Sequence, residues 1–194
     1  MNFLAHIYLS GNNDQLKIGN FIADAVKGNS YKKYPTEVQK GIILHRAIDF
    51  YTDTHPIARK SSARLFERYG HFNGIIVDIL YDHFLALHWR RYSEKELDVY
   101  VDEFYELLQE NFEILPKRIQ QFMPYMVEDN WLLSYATIEG IGKILYQMNL
   151  RTKDVSKMNF AVEELELFYT EFESEFLLFF EELQTFVSEK MTTL

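Results

Sequence analysis

The sequence predicts an all-α fold, a bundle of short helices with a long C-terminal helix, on three observations. Only eight glycines and four prolines interrupt 194 residues. Apolar residues recur between them at intervals of three and four, and no stretch alternates apolar with polar as a half-buried strand does. With 47% hydrophobic residues, including 16 Phe, 13 Tyr and 2 Trp, the chain can fill one core, so residues 1–194 read as a single domain.

The elements follow in order. Gly28 after Lys27, and Gly70 after Arg68 and Tyr69, stand where helix C-terminal glycines do. Thr36 with Gln39 forms a capping-box pattern behind Pro35 and opens a helix through Ile42, His45, Ile48 and Asp49 until Pro56. A strongly apolar helix follows, with Ile75, Ile76, Val77, Ile79, Leu80, Phe84 and Leu85 around Asp78, Asp82 and His83. Ser93 with Glu96 repeats the capping signature ahead of Leu97, Val101, Phe104, Tyr105 and Leu108. Pro116 and Pro124 break or kink their surroundings. A helix around Ile138, Ile141, Ile144, Leu145 and Met148 then leads to the last segment. There Met158, Ala161, Leu165, Phe168, Phe172, Phe176, Phe179 and Leu183 form a core-facing stripe with glutamates between.

Composition removes several function classes. Without cysteine there is no disulfide framework, thiolate metal site or cysteine nucleophile, and the compartment reads as cytoplasmic. No secretory leader or membrane span is indicated. The net charge of -9 is divided: residues 1–93 hold 12 Lys and Arg against 8 Asp and Glu, and residues 94–194 hold 8 against 21. All six histidines lie in the positive part. The acidic balance argues against a general nucleic-acid binder, whereas the basic part suits an anionic partner. Phosphate-loop glycines, Gly-x-Ser-x-Gly, His-Glu-x-x-His and Glu-x-x-His are all missing, which sets aside the common nucleotide-binding, serine-hydrolase, zincin and di-iron patterns.

The remaining chemistry is imidazole and carboxylate. His45 and Asp49 are four apart and share a helix face, with Asp53 one turn further. Arg46 either pairs with Asp49 or holds a substrate phosphate. Asp78, Asp82 and His83 sit in the apolar helix, where such groups are costly to bury unless paired or bound to a cation. His6 and Asp24 also stand among apolar neighbours. Each alone is explained as a satisfied buried polar group. Together they form a hard donor set suited to Mn, Fe, Zn or Mg. His55 and His71 read as surface residues.

These segments, Asn2-Phe3-Leu4-Ala5-His6, Gly19-Asn20-Phe21-Ile22-Ala23-Asp24, Gly41-Ile42 with His45-Arg46-Ala47-Ile48-Asp49 and Thr52-Asp53, and Asp78 with Asp82-His83-Phe84-Leu85 and His88-Trp89, resemble the acyl carrier protein phosphodiesterases. The resemblance is close over the first half and extends to length and helical character beyond it. It implies an atypical HD-phosphohydrolase-like fold. It also implies hydrolysis of holo acyl carrier protein to the apo form and 4'-phosphopantetheine, with manganese the usual metal. The doublet Asp82-His83 reverses the His-Asp of the wider HD group. The site this implies has Asp24, His45, Asp82 and His83 as metal ligands, with Asp49 as a further ligand or an orienting carboxylate. Arg46 is then on phosphate, and His6 or His88 protonates the leaving serine oxygen. The acidic carrier protein would dock on basic residues such as Lys27, Arg90 and Arg91. Two other readings stand beside it: a phosphohydrolase of another phosphodiester or nucleotide, and a non-enzymatic helical protein whose Asp and His residues form buried ion pairs.

Overall fold

A computed structural model describes residues 1–194 as twelve α-helices and five short 3-10 segments, with no strand. In order the helices are α1 (Phe3–Tyr8), α2 (Asp14–Ile22), α3 (Thr36–Thr54), α4 (Pro56–Tyr69), α5 (Asn73–Leu87), α6 (Trp89–Tyr92), α7 (Leu97–Glu110), α8 (Lys117–Glu128), α9 (Trp131–Ser134), α10 (Ile138–Arg151), α11 (Ala161–Leu167) and α12 (Tyr169–Met191). Buried apolar residues from nearly all of them join in one core. No helix is long and apolar enough to cross a membrane.

Helix ends depart from the sequence patterns in instructive ways. Pro35, not Thr36, caps α3, and Gln39 turns its amide to the Lys32 and Tyr34 carbonyls instead of closing a capping box. Similarly, α7 starts behind Glu96 because the Ser93 hydroxyl is taken by the Lys95 N–H. Gly70 does cap α4 at φ +53°, whereas Gly28 begins a 3-10 turn. Pro124 lies inside α8. The C-terminal stripe breaks at Phe168 into α11 and α12. His55 is buried, not superficial: it caps α4 by accepting from the Ile57 N–H and meets Glu182.

Two packings set the position of the site. Helices α2 and α3 cross at Gly19 and Gly41 so closely that a Cβ on Gly41 would fall 2.2 Å from the Leu16 carbonyl oxygen. Only glycine permits that approach, which draws the end of α2 against the first half of α3. On the other side, α12 buries Phe172, Phe176, Phe179, Phe180 and Leu183 and brings buried Glu175 to α4. There Arg64 grips it with two bonds of 2.8 Å, and Lys60 reaches it at 3.1 Å. Arg68 pairs with Glu163 and Glu164 of α11. These pairs set three basic residues of the first half against three glutamates of the second.

Candidate metal centre and its cleft

The first helix depends on a carboxylate far away in sequence. The opening N–H groups of a helix have no partner within it, and here Asp82 of α5 accepts from Asn2 at 3.0 Å, Leu4 at 2.8 Å and Ala5 at 3.4 Å. Asp82 is fully buried, and burial pushes its carboxyl up to about 7. One turn back on α5, Asp78 holds the N-terminal ammonium at 2.7 Å. Both interactions fix the position of α1 and hence of His6.

Buried Asn20 of α2 then orients His6. Its amide nitrogen donates to the His6 carbonyl and to Ser10, at 2.8 and 2.9 Å, leaving its oxygen 2.8 Å from His6 Nδ1. That network assigns the proton to Nδ1. The unprotonated Nε2 faces Asp49 Oδ1 at 3.1 Å, and this buried nitrogen has no hydrogen-bond partner. The His6 ring also stacks on His45 at 4.0 Å. Burial, reinforced by His45, lowers the imidazole to about 4, so it is neutral at physiological pH.

On α3 the four-residue spacing brings His45 Nε2 to 3.0 Å from Asp49 Oδ2, and Asp24, just beyond α2, approaches the same nitrogen at 3.2 Å. Burial opposes charge on His45, but the two carboxylates more than offset it and raise the ring to about 9. Burial likewise works against ionised Asp49, and the protonated His45 ring beside it overcomes that, holding the carboxyl far below its usual range. One ligand atom each from His6, His45 and Asp49 lies within 4.8 Å of the others, forming a group that could hold a metal ion. Two electron-rich atoms facing each other, His6 Nε2 and Asp49 Oδ1, are what a cation would relieve. The imidazole and carboxylate donors fit a divalent first-row ion.

Not every sequence candidate reaches this cluster. Asp82 spends its oxygens on the α1 backbone. His83, about 100° further round α5, turns its Nδ1 to the Tyr135 carbonyl at 2.7 Å. His88 caps α5 and meets Glu173 at 2.7 Å. Arg46 neither pairs with Asp49 nor enters the cleft; it donates to the Val26 and Gly28 carbonyls at 3.0 and 2.9 Å and lies over Tyr31. Arg90 pairs with Glu96, and the Arg91 guanidinium lies over Tyr92.

The cluster lies in a cleft of about 410 Å³ whose far wall comes from the acidic half: Arg118, Trp131, Tyr135, Gln147, Met148 and Arg151, facing Asp24, Asp49, Asp53 and Asp78. No motif marked these residues, because α8, α9 and α10 reach the site only through tertiary packing.

Comparison with known proteins identifies the family. Residues 1–183 match the family described as Acyl carrier protein phosphodiesterase. Proteins of that name from Pectobacterium atrosepticum and Yersinia pestis are 30% and 32% identical over 181 residues, covering 93% of this chain and 94% of each relative. The protein of that name from Serratia proteamaculans is 29% identical over 191 residues, covering 98% of the chain and 99% of the relative. No solved structure matches the sequence. Matched along nearly its whole length, the chain belongs to the acyl carrier protein phosphodiesterase family.

Proposed function

We propose that this cleft hydrolyses the phosphodiester of holo acyl carrier protein, giving the apo protein and 4'-phosphopantetheine, with a divalent metal held by His6, His45 and Asp49. Manganese is the first candidate, with Fe, Mg and Zn as alternatives, and Asp24, which touches His45, is the candidate for a fourth donor. The observation that carries the reading is the convergence of a neutral, unpartnered His6 Nε2 on the Asp49 carboxylate that His45 also contacts, in a chain of this family.

A divalent ion in such a site lowers the pKa of water toward neutrality and offsets phosphoryl charge. The protein's own groups prepare that chemistry. Asn20 fixes the His6 tautomer, Asp82 fixes the helix that carries it, and the stacked rings keep both imidazoles in register. Asp82, His83, His88 and Arg46 are in this reading structural, each committed to a partner described above. Docking of the acidic carrier protein falls to basic groups near the cleft. Exposed Lys27 follows Asp24 by three residues and has no ion pair, whereas Arg90 and Arg91, beyond the end of α5 and outside the cleft lining, would meet the carrier protein only at its periphery. The test is conversion of holo to apo carrier protein by protein purified without a polyhistidine tag. Turnover should cease with chelator and return with manganese; undiminished turnover in chelator would refute the metal role.

A further inference from the structure

We infer that Arg118 and Arg151 are the residues that hold the substrate phosphate; the inference rests on the phosphodiesterase reading and supplies the anion site that Arg46 does not provide. The two lie on different helices, Arg118 in the first turn of α8 and Arg151 at the end of α10, and both line the cleft of the His6–His45–Asp49 cluster. Neither forms an ion pair, although that wall faces four carboxylates. Arg64, Arg68 and Arg90 pair with carboxylates, and Arg46 and Arg59 donate to backbone carbonyls, whereas Arg118 and Arg151 donate to no protein acceptor.

Helix electrostatics account for only one of the two. A cation at a helix C-terminus is favourable, so Arg151 fits its place. At the N-terminus it is unfavourable, yet α8 opens with Lys117 and Arg118, has no acidic residue in its first turn and lacks a side-chain cap. The positive charge there is uncompensated within the helix, and Arg118 lines a cleft that also holds carboxylates. Arg151 is also positioned: its guanidinium lies over the Trp131 ring at 5.7 Å, and Trp131 lines the same cleft with its Nε1 buried and unpartnered. A guanidinium held against an indole face leaves N–H groups free for an oxyanion. Guanidinium forks from α8 and α10 can donate to the non-bridging oxygens of a phosphodiester beside the metal cluster.

Trp131 provides a readout that does not depend on turnover. The manganese-loaded full-length protein is titrated with 4'-phosphopantetheine, and with pantetheine lacking the phosphate, while Trp131 fluorescence is followed; Trp131→Phe identifies its signal. Phosphopantetheine should bind and pantetheine should bind at least about 10-fold more weakly. Arg118→Ala and Arg151→Ala should each weaken phosphopantetheine binding about 10-fold, the loss of one charge-assisted contact, with unchanged metal content and little effect on pantetheine. Lysine at either position should recover part of the loss. Unaltered phosphopantetheine binding in both alanine variants, equal losses for both ligands, or no phosphate preference in the parent protein would overturn the assignment. Arginine-dependent phosphate binding without hydrolysis of holo carrier protein would leave this inference standing and defeat the proposed activity; hydrolysis with unaltered binding in the variants would do the reverse.

Discussion

Asp82 separates two accounts of the same residue, ligand and helix anchor, and the structure sets the size of the difference. Its carboxylate satisfies the N–H groups of Asn2, Leu4 and Ala5, two of them at 3.0 Å or less. Alanine there would strand buried donors at about 1–3 kcal/mol each for the shorter bonds, so Asp82→Ala should lose about 3–5 kcal/mol. That is a large part of an ordinary domain's stability. Asparagine keeps one acceptor oxygen and resembles the neutral acid that burial already favours, so Asp82→Asn should stay within about 2 kcal/mol of the parent. Urea unfolding at neutral pH measures both, and elemental analysis of the folded asparagine variant measures manganese. Parent-like metal content is the expected result. A stably folded Asp82→Asn protein that binds no manganese would make Asp82 a ligand and refute the anchoring argument.

Four further outcomes are expected. His45→Ala should lower manganese affinity by more than about 100-fold, since even residues behind a ligand contribute 10- to 100-fold; circular dichroism should show retained helicity, and full metal content would contradict the site. Gly41→Ala, whose methyl would strike the Leu16 carbonyl, should cost more than about 3 kcal/mol in urea unfolding and weaken metal binding by moving Asp24 from His45. Burial works against ionised Glu175, but Arg64, Ser61 and Lys60 hold it down at about 2 against an ordinary 4.5. Its contribution of up to about 3 kcal/mol should be present above pH 4.5 and be lost as pH falls toward 2, a slope that thermal unfolding should find flattened in Glu175→Gln. Lys27→Glu and Arg91→Glu should raise KM for holo carrier protein and reduce its salt dependence, whereas Arg90→Glu should do less because Glu96 already pairs with it; equal effects at all three positions would count against that distinction.

The helical class was legible because 3.6-residue periodicity leaves its mark on every buried face, and the same geometry made His45 and Asp49 neighbours on paper and at 3.0 Å in the fold. Asn20 is less visible. Its role depends on an amide that serves three groups at once, and no spacing rule reports that. Asp82 shows the opposite difficulty. An aspartate in an apolar helix advertises a costly burial without saying what relieves it, and a backbone helix terminus eighty residues away does so as effectively as a cation. Adjacent residues on a helix also diverge by about 100°, and here Asp82 turns to the α1 backbone while His83 turns to the Tyr135 carbonyl.

Charge bookkeeping by sequence halves had a similar limit. The basic excess of residues 1–93 suggests an exposed positive surface, but Lys60, Arg64 and Arg68 of α4 face the glutamates of α11 and α12, as two amphipathic helices of opposite charge should when packed side by side. What is left unpaired is then decided by geometry. Arg118 and Arg151 come from the segment with the acidic excess, yet they stand in the cleft without a carboxylate partner. A phosphodiester approaching His6, His45 and Asp49 meets those two cations, not the larger number of Lys and Arg residues earlier in the chain. The half of the sequence without metal-binding motifs thus contributes the wall that can tell a phosphate from an uncharged arm, and the chemistry of the cleft belongs to both halves.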